Sequence, residues 1–236
     1  MARSIRRTLL LTGVAEGLGA DLAETFARAG HDVVGISRTN RSTEHLMRRV
    51  EHAGGRYTHL MCDITQAAEV AAAIGPHAGH VDVMIHNAHV LDIKPFERTS
   101  ASEFEQAWRT ACLGAMITAQ SVIPHMAARG QGTIIMTGAT AGLRGAANCS
   151  AFASAKFALR GLAQSPAREY GPKGVHVAHV VLDGLIDEAQ TDRRFGSSPT
   201  GRMNGGAIAQ AYRDLTTQHP SAWTQEIDLR PFSERF

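Results

Sequence analysis

Short apolar runs alternate with helical periodicity along the whole chain. Thr8 to Leu11 is apolar and leads into a glycine turn, after which Leu22, Ala23, Phe26 and Ala27 recur at helical spacing until Gly30. Asp32 to Ile36, Tyr57 to Met61, Val81 to Ile85, Thr133 to Met136 and Val175 to Val181 repeat the short apolar run. Between them the pattern predicts helices over Thr43–His52, over Ala67–Ile74 with a stop at Gly75-Pro76, over Ser102–Ala128 and over Cys149–Glu169. Strands of this kind are buried on both faces, and their alternation with helices predicts a parallel sheet with right-handed crossovers. After Leu182 the texture changes. Asp183 to Gly206 is rich in Gly, Ser, Asp and Arg and reads as a loop, with residues 187–205 as a candidate substrate loop. A helix over Ala207–Gln218 and an edge strand over Trp223–Leu229, ended by Pro231, follow. Phe232 and Phe236 lie beyond, placed to pack on a neighbouring subunit or on their own domain. No internal repeat or linker divides the chain, so the expected fold is α/β. It is a single domain over residues 1–236, a doubly wound parallel sheet with helices on both faces.

Composition narrows the function classes. With 236 residues, 44% hydrophobic and 19% charged, the chain is globular. A net charge of +2 gives no footprint of a nucleic-acid binder. No apolar run approaches the roughly 18–20 residues of a membrane span, so no membrane partner is expected. Cys62, Cys112 and Cys149 are odd in number and form no CxxC pattern, which suits free thiols in a reducing cytoplasm. The arginines before Leu9 run into Thr12-Gly13 without a cleavage-like site, so they read as a charged lead-in to a strand. His77, His80, His86 and His89 straddle a loop, a strand and a turn, with no helical His pair. No metal is expected there.

The chemistry concentrates at the turns after the strands. Gly13, Gly17 and Gly19, with Glu16 and Leu18 among them, join the first strand to the first helix. Glycines there permit a tight turn, close backbone approach to a pyrophosphate and close helix–strand packing, while the helix N-terminus offers free amides. The second strand ends at Ser37-Arg38, where an acidic residue would bind the 2′-hydroxyl of NAD. A small serine followed by arginine, with Arg41 nearby, suits the 2′-phosphate of NADP. Glu16 opposes that preference by charge, so NADP is favoured and NAD stays possible.

At these residues the chain resembles the short-chain dehydrogenase/reductase family. Thr12-Gly13-Val14-Ala15-Glu16-Gly17-Leu18-Gly19 matches its glycine turn. Cys62-Asp63-Ile64 resembles its adenine-contacting turn, and His86-Asn87-Ala88-His89 its Asn-Asn-Ala-Gly turn. Phe152-Ala153-Ser154-Ala155-Lys156 stands where Tyr-x-x-x-Lys belongs, and Asp183-Gly184 replaces a Pro-Gly turn. The resemblance implies a Rossmann-type sheet, a nicotinamide cofactor, a small-molecule substrate, and homodimers or homotetramers built on the two long helices. It places Gly13, Glu16, Gly17, Leu18, Gly19, Ser37, Arg38, Asp63, Ile64, Asn87, Ala88, Lys156, Gly184 and Ile186 at the cofactor.

It also exposes three departures. Phe152 stands in place of the family's proton-donating tyrosine, Ala139 in place of its serine and Ala111 in place of its helix asparagine. Of the usual four, Lys156 remains, and Thr140 beside Ala139 is a candidate substitute. Asp183, His89, Cys149 and Asp187 are further candidates for the missing acid, and Arg193, Arg194 and Arg202 for contact with an acidic substrate. The leading expectation is an atypical NADP-dependent oxidoreductase acting on a small carbonyl or alcohol. The alternatives are an NADP(H)-binding sensor or partner subunit without hydride chemistry, and a site repurposed for isomerisation or elimination.

Overall fold

Strands buried on both faces organise the molecule. The computed structural model describes residues 6–196 and 201–233. Its strands are β1 (Arg7–Thr12), β2 (His31–Ser37), β3 (Tyr57–Met61), β4 (Val83–His86), β5 (Gly132–Thr137), β6 (Val175–Leu182), β7 (Leu185–Ile186), β8 (Arg202–Met203) and β9 (Glu226–Leu229). Its α-helices are α1 (Leu18–Arg28), α2 (Thr43–His52), α3 (Ala67–Ala78), α4 (Ala101–Trp108), α5 (Gly114–Ala128), α6 (Ser150–Tyr170), α7 (Ala189–Phe195) and α8 (Gly205–Leu215). Seven strands form one parallel sheet in the order β3-β2-β1-β4-β5-β6-β9. Leu9 and Leu11 point to one face, where Phe26, Ile208 and Tyr212 cover them. Leu10 points to the other, into a core with Ile74, Val122 and Leu159. Every residue of β4, β5 and β6 is buried, as expected of strands covered on both sides. The fold is thus the single doubly wound α/β domain that the alternation of elements predicts.

Four features depart from the sequence reading. First, α3 does not stop at Gly75-Pro76 but continues to Ala78. Pro76 sits in the last turn, where one helical hydrogen bond is lost, and Val70, Ile74 and Ala78 keep a continuous buried stripe. Second, the helix expected from Ser102 begins at Ala101, behind a capping box of Ser100 and Glu103. A π-helical turn over Arg109–Leu113 then interrupts it. The whole stretch Ala101–Ala128 is long and apolar enough by composition to cross a membrane, contrary to the run-length reading. Half of its most apolar window is buried inside the fold, so that apolarity serves the core. Third, the region expected as loop carries α7 and a two-stranded ribbon of β7 with β8, while residues 197–200 lie outside the described chain. Fourth, β9 is shorter than expected, because Trp223 and Thr224 donate from Nε1 and the backbone amide to Gln218 rather than to a strand. It takes the edge beside β6, as its position in the chain predicts. Phe232 is fully exposed and Phe236 lies outside the described residues.

Candidate functional site

The sheet grows outward in both directions from β1 and β4, so the loops at their carboxyl ends diverge and leave a crevice. A cleft of about 1400 Å³ opens there. Gly13, Glu16, Leu18, Gly19, Ser37, Arg38, Asp63, Ile64, Asn87, Ala88, Thr140, Phe152, Lys156, Gly184 and Ile186 all line it. These residues come from the ends of β1 to β6, from α6 and from β7, and the fold alone brings them together.

The glycine turn is held against the turn after β4. Gly13 has φ +74°, and a Cβ added there would lie 2.6 Å from the Ala88 backbone. Asn87 donates from Nδ2 to the Gly13 carbonyl at 3.4 Å. Gly19 brings α1 close to the turn, with space for a Cβ only 3.0 Å from the Gly13 carbonyl. Gly13→Ala therefore combines a left-handed backbone with a backbone clash. It is expected to cost about 2–4 kcal/mol in urea unfolding and to distort the cleft rim.

At the end of β2, the Ser37 hydroxyl donates to the Thr39 carbonyl at 2.7 Å and meets His59 Nε2 at 2.9 Å. Arg38 and Arg41 both line the cleft. Their guanidinium groups make no hydrogen bond or ion pair among the described residues, which leaves both available to an anion. Asp63 accepts from the Thr65 amide at 2.9 Å, which fixes the turn after β3.

The inner end of the cleft is built on α6 and the ends of β4 and β5. Phe152 and Lys156 lie one helical turn apart, with Lys156 Nζ 5.6 Å from the ring centroid. Lys156 is only 2% exposed and donates from Nζ to the Thr137 carbonyl at 2.7 Å. Burial pushes its ammonium down to about 7. Tyr212 donates to the Thr137 hydroxyl at 3.0 Å from the core side. His86 meets the Thr12 hydroxyl through Nδ1 at 2.9 Å, and burial pushes its imidazole down to about 3, so it is neutral. His89 opens onto the cleft 5.9 Å from the Phe152 ring, between ring centroids.

The candidate acids separate on geometry. Thr140 faces the cleft, but its hydroxyl donates to Asp183 at 2.5 Å. Asp183 is 2% exposed, stands behind the cleft wall and is flanked by Arg144 at 3.6 Å and Arg230 at 3.5 Å. It braces the loop after β5. Ala111 is buried with Ala107, Ala151 and Ala155 where α4 and the π turn meet α6. Cys149 precedes α6 and touches the cleft. Arg194 lines the cleft and donates to the Leu91 carbonyl at 2.7 Å. Arg202 instead fastens its own segment through Asp192 and the Gly196 carbonyl.

Two features escape the sequence reading. Gly17 is not on the cleft surface, because the Glu188 carboxylate covers it. Glu188 Oε2 accepts from the Leu18 amide at 3.2 Å, at the first turn of α1. The two residues are 170 positions apart, and no spacing rule links them. Arg109 and Thr110 of the π turn also line the cleft, and only the break in helical hydrogen bonding marks them out.

Comparison with known proteins follows the same lines. A family model described as short chain dehydrogenase matches residues 7–195. The chain is 30% identical over 193 residues to a 3-alpha-(or 20-beta)-hydroxysteroid dehydrogenase of Mycobacterium tuberculosis, covering 80% of this chain and 73% of the relative. It is 28% identical to the short-chain reductase protein NovJ of Streptomyces niveus, covering 99% and 90%. A short-chain dehydrogenase structure from Rhodopseudomonas palustris superposes with TM-score 0.81 at 35% identity, over 96% of this chain and 99% of that one. A metagenomic short-chain oxidoreductase solved with NADP gives TM-score 0.82 at 25% identity, over 97% and 98%.

Proposed function

This chain belongs to the short-chain dehydrogenase family, and from that membership we propose an NADP-dependent oxidoreductase that acts on a small carbonyl or alcohol, with an atypical proton-donating site. One observation carries the reading: the glycine turn, Arg38 with no partner among the described residues, and the buried Lys156 line a single cleft at the switch point of the sheet. The NADP complex of a related structure supports the choice of dinucleotide. The residues present fit such a cofactor. Gly13 and Gly19 line the cleft without side chains, and Arg38 and Arg41 offer guanidinium groups at the end of β2 that have no partner among the described residues. In this reading the α1 amides hold the pyrophosphate, Arg38 holds the 2′-phosphate, and Asp63 and Ile64 flank the adenine. Asn87, Ala88, Lys156, Gly184 and Ile186 flank the nicotinamide half. When bound, the cofactor supplies or accepts the hydride.

The chain must then manage charge on the substrate oxygen. Carbonyl reduction builds negative charge there, which needs a donor within reach and then a proton. Phe152 and Ala139 carry no donor, and the Thr140 hydroxyl proton is given to Asp183. Lys156 spends one N–H on the Thr137 carbonyl and has others to spare, with a pKa near neutrality. We therefore assign to Lys156 both the stabilisation of the oxygen and the supply of the proton. The same apolar replacements favour a second reading, in which the chain holds NADP(H) without turning it over.

Fluorescence titration with NADPH and NADH tests the cofactor, and loss of NADPH absorbance with carbonyl substrates separates the two readings. Saturable NADPH binding tighter than NADH binding is expected, and binding of neither overturns both. Arg38→Ala is expected to weaken NADPH about tenfold or more while leaving NADH nearly unchanged, since a lost guanidinium–phosphate contact costs about 1.5–3 kcal/mol. Exposed Phe104 and Trp108 on α4 and Phe157 on α6 support assembly through these helices as a homodimer or homotetramer, which sedimentation measures.

A further inference from the structure

The first turn of α1 already carries an anion from the chain itself. Glu188 follows β7 and reaches across the mouth of the cleft. Its Oε2 accepts the Leu18 amide hydrogen at 3.2 Å, and the same oxygen lies 1.9 Å from the point a Gly17 Cβ would occupy. A helix N-terminus attracts negative charge, whether carboxylate or phosphate. Gly17 has φ +87° and no side chain, and the carboxylate occupies the place its Cβ would take.

We propose that Glu188 is an internal competitor for the phosphate seat at the α1 N-terminus, so that a dinucleotide binds only after this carboxylate has been displaced. The inference rests on the cofactor reading above and adds a regulatory contact to that site. Three observations bear on it. The contact is specific, since Glu188 lines the cleft and its carboxylate lies against Gly17, which the glycine turn otherwise presents to a ligand. The surroundings make the carboxylate's position unfavourable for a permanent ion. Burial raises its pKa most, the Leu18 amide lowers it, Asp21 on α1 raises it, and Arg193 on α7 lowers it. Finally, Glu188 immediately precedes α7, so its departure moves the start of a short helix rather than a strand of the main sheet.

The consequence is a tax on affinity. When the seated state dominates by nine to one, the apparent dissociation constant rises about tenfold over that of the open state. Glu188→Ala and Glu188→Gln remove the charge in two ways, and Gln keeps the size. Both variants and the parent protein are titrated with NADPH by fluorescence, and with inorganic pyrophosphate by the rise in Tm. The expected result is about tenfold tighter binding of both ligands by Glu188→Ala, with a smaller gain for Glu188→Gln. Equal or weaker binding of both ligands by both variants overturns the proposal and leaves Glu188 as a structural or ligand-holding residue. If pyrophosphate binds more tightly to the variants while NADPH binds to none of the three proteins, the competition stands and the cofactor reading falls. If neither ligand binds any of them, both fall.

Discussion

Phe152→Tyr is expected to raise NADPH-dependent carbonyl reduction by about 10²-fold or more, the usual worth of a positioned general acid. The position already has the neighbour that a catalytic phenol needs. Lys156 Nζ lies 5.6 Å from the ring centroid, and an ammonium there favours the phenolate. Phe152 lines the cleft, so the added hydroxyl enters at the cleft rather than in a packed core. Ala139 still lacks a donor, and Thr140 still gives its proton to Asp183, so the variant stays short of a fully equipped site. A missing oxyanion donor typically costs 10²–10³ in rate, roughly as much as the new acid restores. Steady-state rates on a panel of small aldehydes and ketones measure the gain. No gain, with NADPH binding unchanged, would mean that the missing donors at Ala139 and Thr140 by themselves block the usual route.

Lys156→Met is expected to act in two opposite directions. If Lys156 carries the charge on the substrate oxygen, its loss lowers kcat/KM by about 10² or more. The same change is expected to stabilise the fold in acid. A buried ammonium with a pKa of about 7 has lost affinity for its proton relative to the unfolded value of 10.5. The unfolded chain then binds more protons between those two values, so stability rises with pH across that window. Below pH 7 the lysine is charged in both states and the penalty of burial is complete. Methionine removes that penalty and gives up one hydrogen bond to the Thr137 carbonyl. A rise in Tm on the order of 5 °C at pH 6, shrinking towards pH 10, is the expected signature. A fall in Tm at pH 6 would show that the lysine's hydrogen bonding outweighs its desolvation.

The lines of this architecture that were legible in the sequence are those set by periodicity. Thr43–His52 and Tyr57–Met61 have the same bounds in the pattern and in the fold, because the burial of Leu46 and Val50 and the turn chemistry around them are local. The cleft was legible too, since a glycine turn and five other strand ends must converge wherever a doubly wound sheet reverses. Features that depend on long-range contact were not. Glu188 meets Leu18 across most of the chain, and Thr140 finds Asp183 across 43 positions. Pro76 shows the opposite failure: a local stop signal lost to the buried stripe of Val70, Ile74 and Ala78.

The edge position of β9 bears on how the chain reaches its fold during synthesis. β6 has every residue buried and pairs on its outer side only with β9. On the ribosome β6 emerges well before β9, and in that interval its outer rim of amides and carbonyls is unpaired. An apolar strand with an open rim is a template for pairing with another chain. The late strand therefore closes that rim only once it has emerged, and the interval before it is when the nascent chain is open to pairing with another. Exposed Asp228 within it puts a carboxylate on the edge of the finished sheet, which other strands do not readily extend.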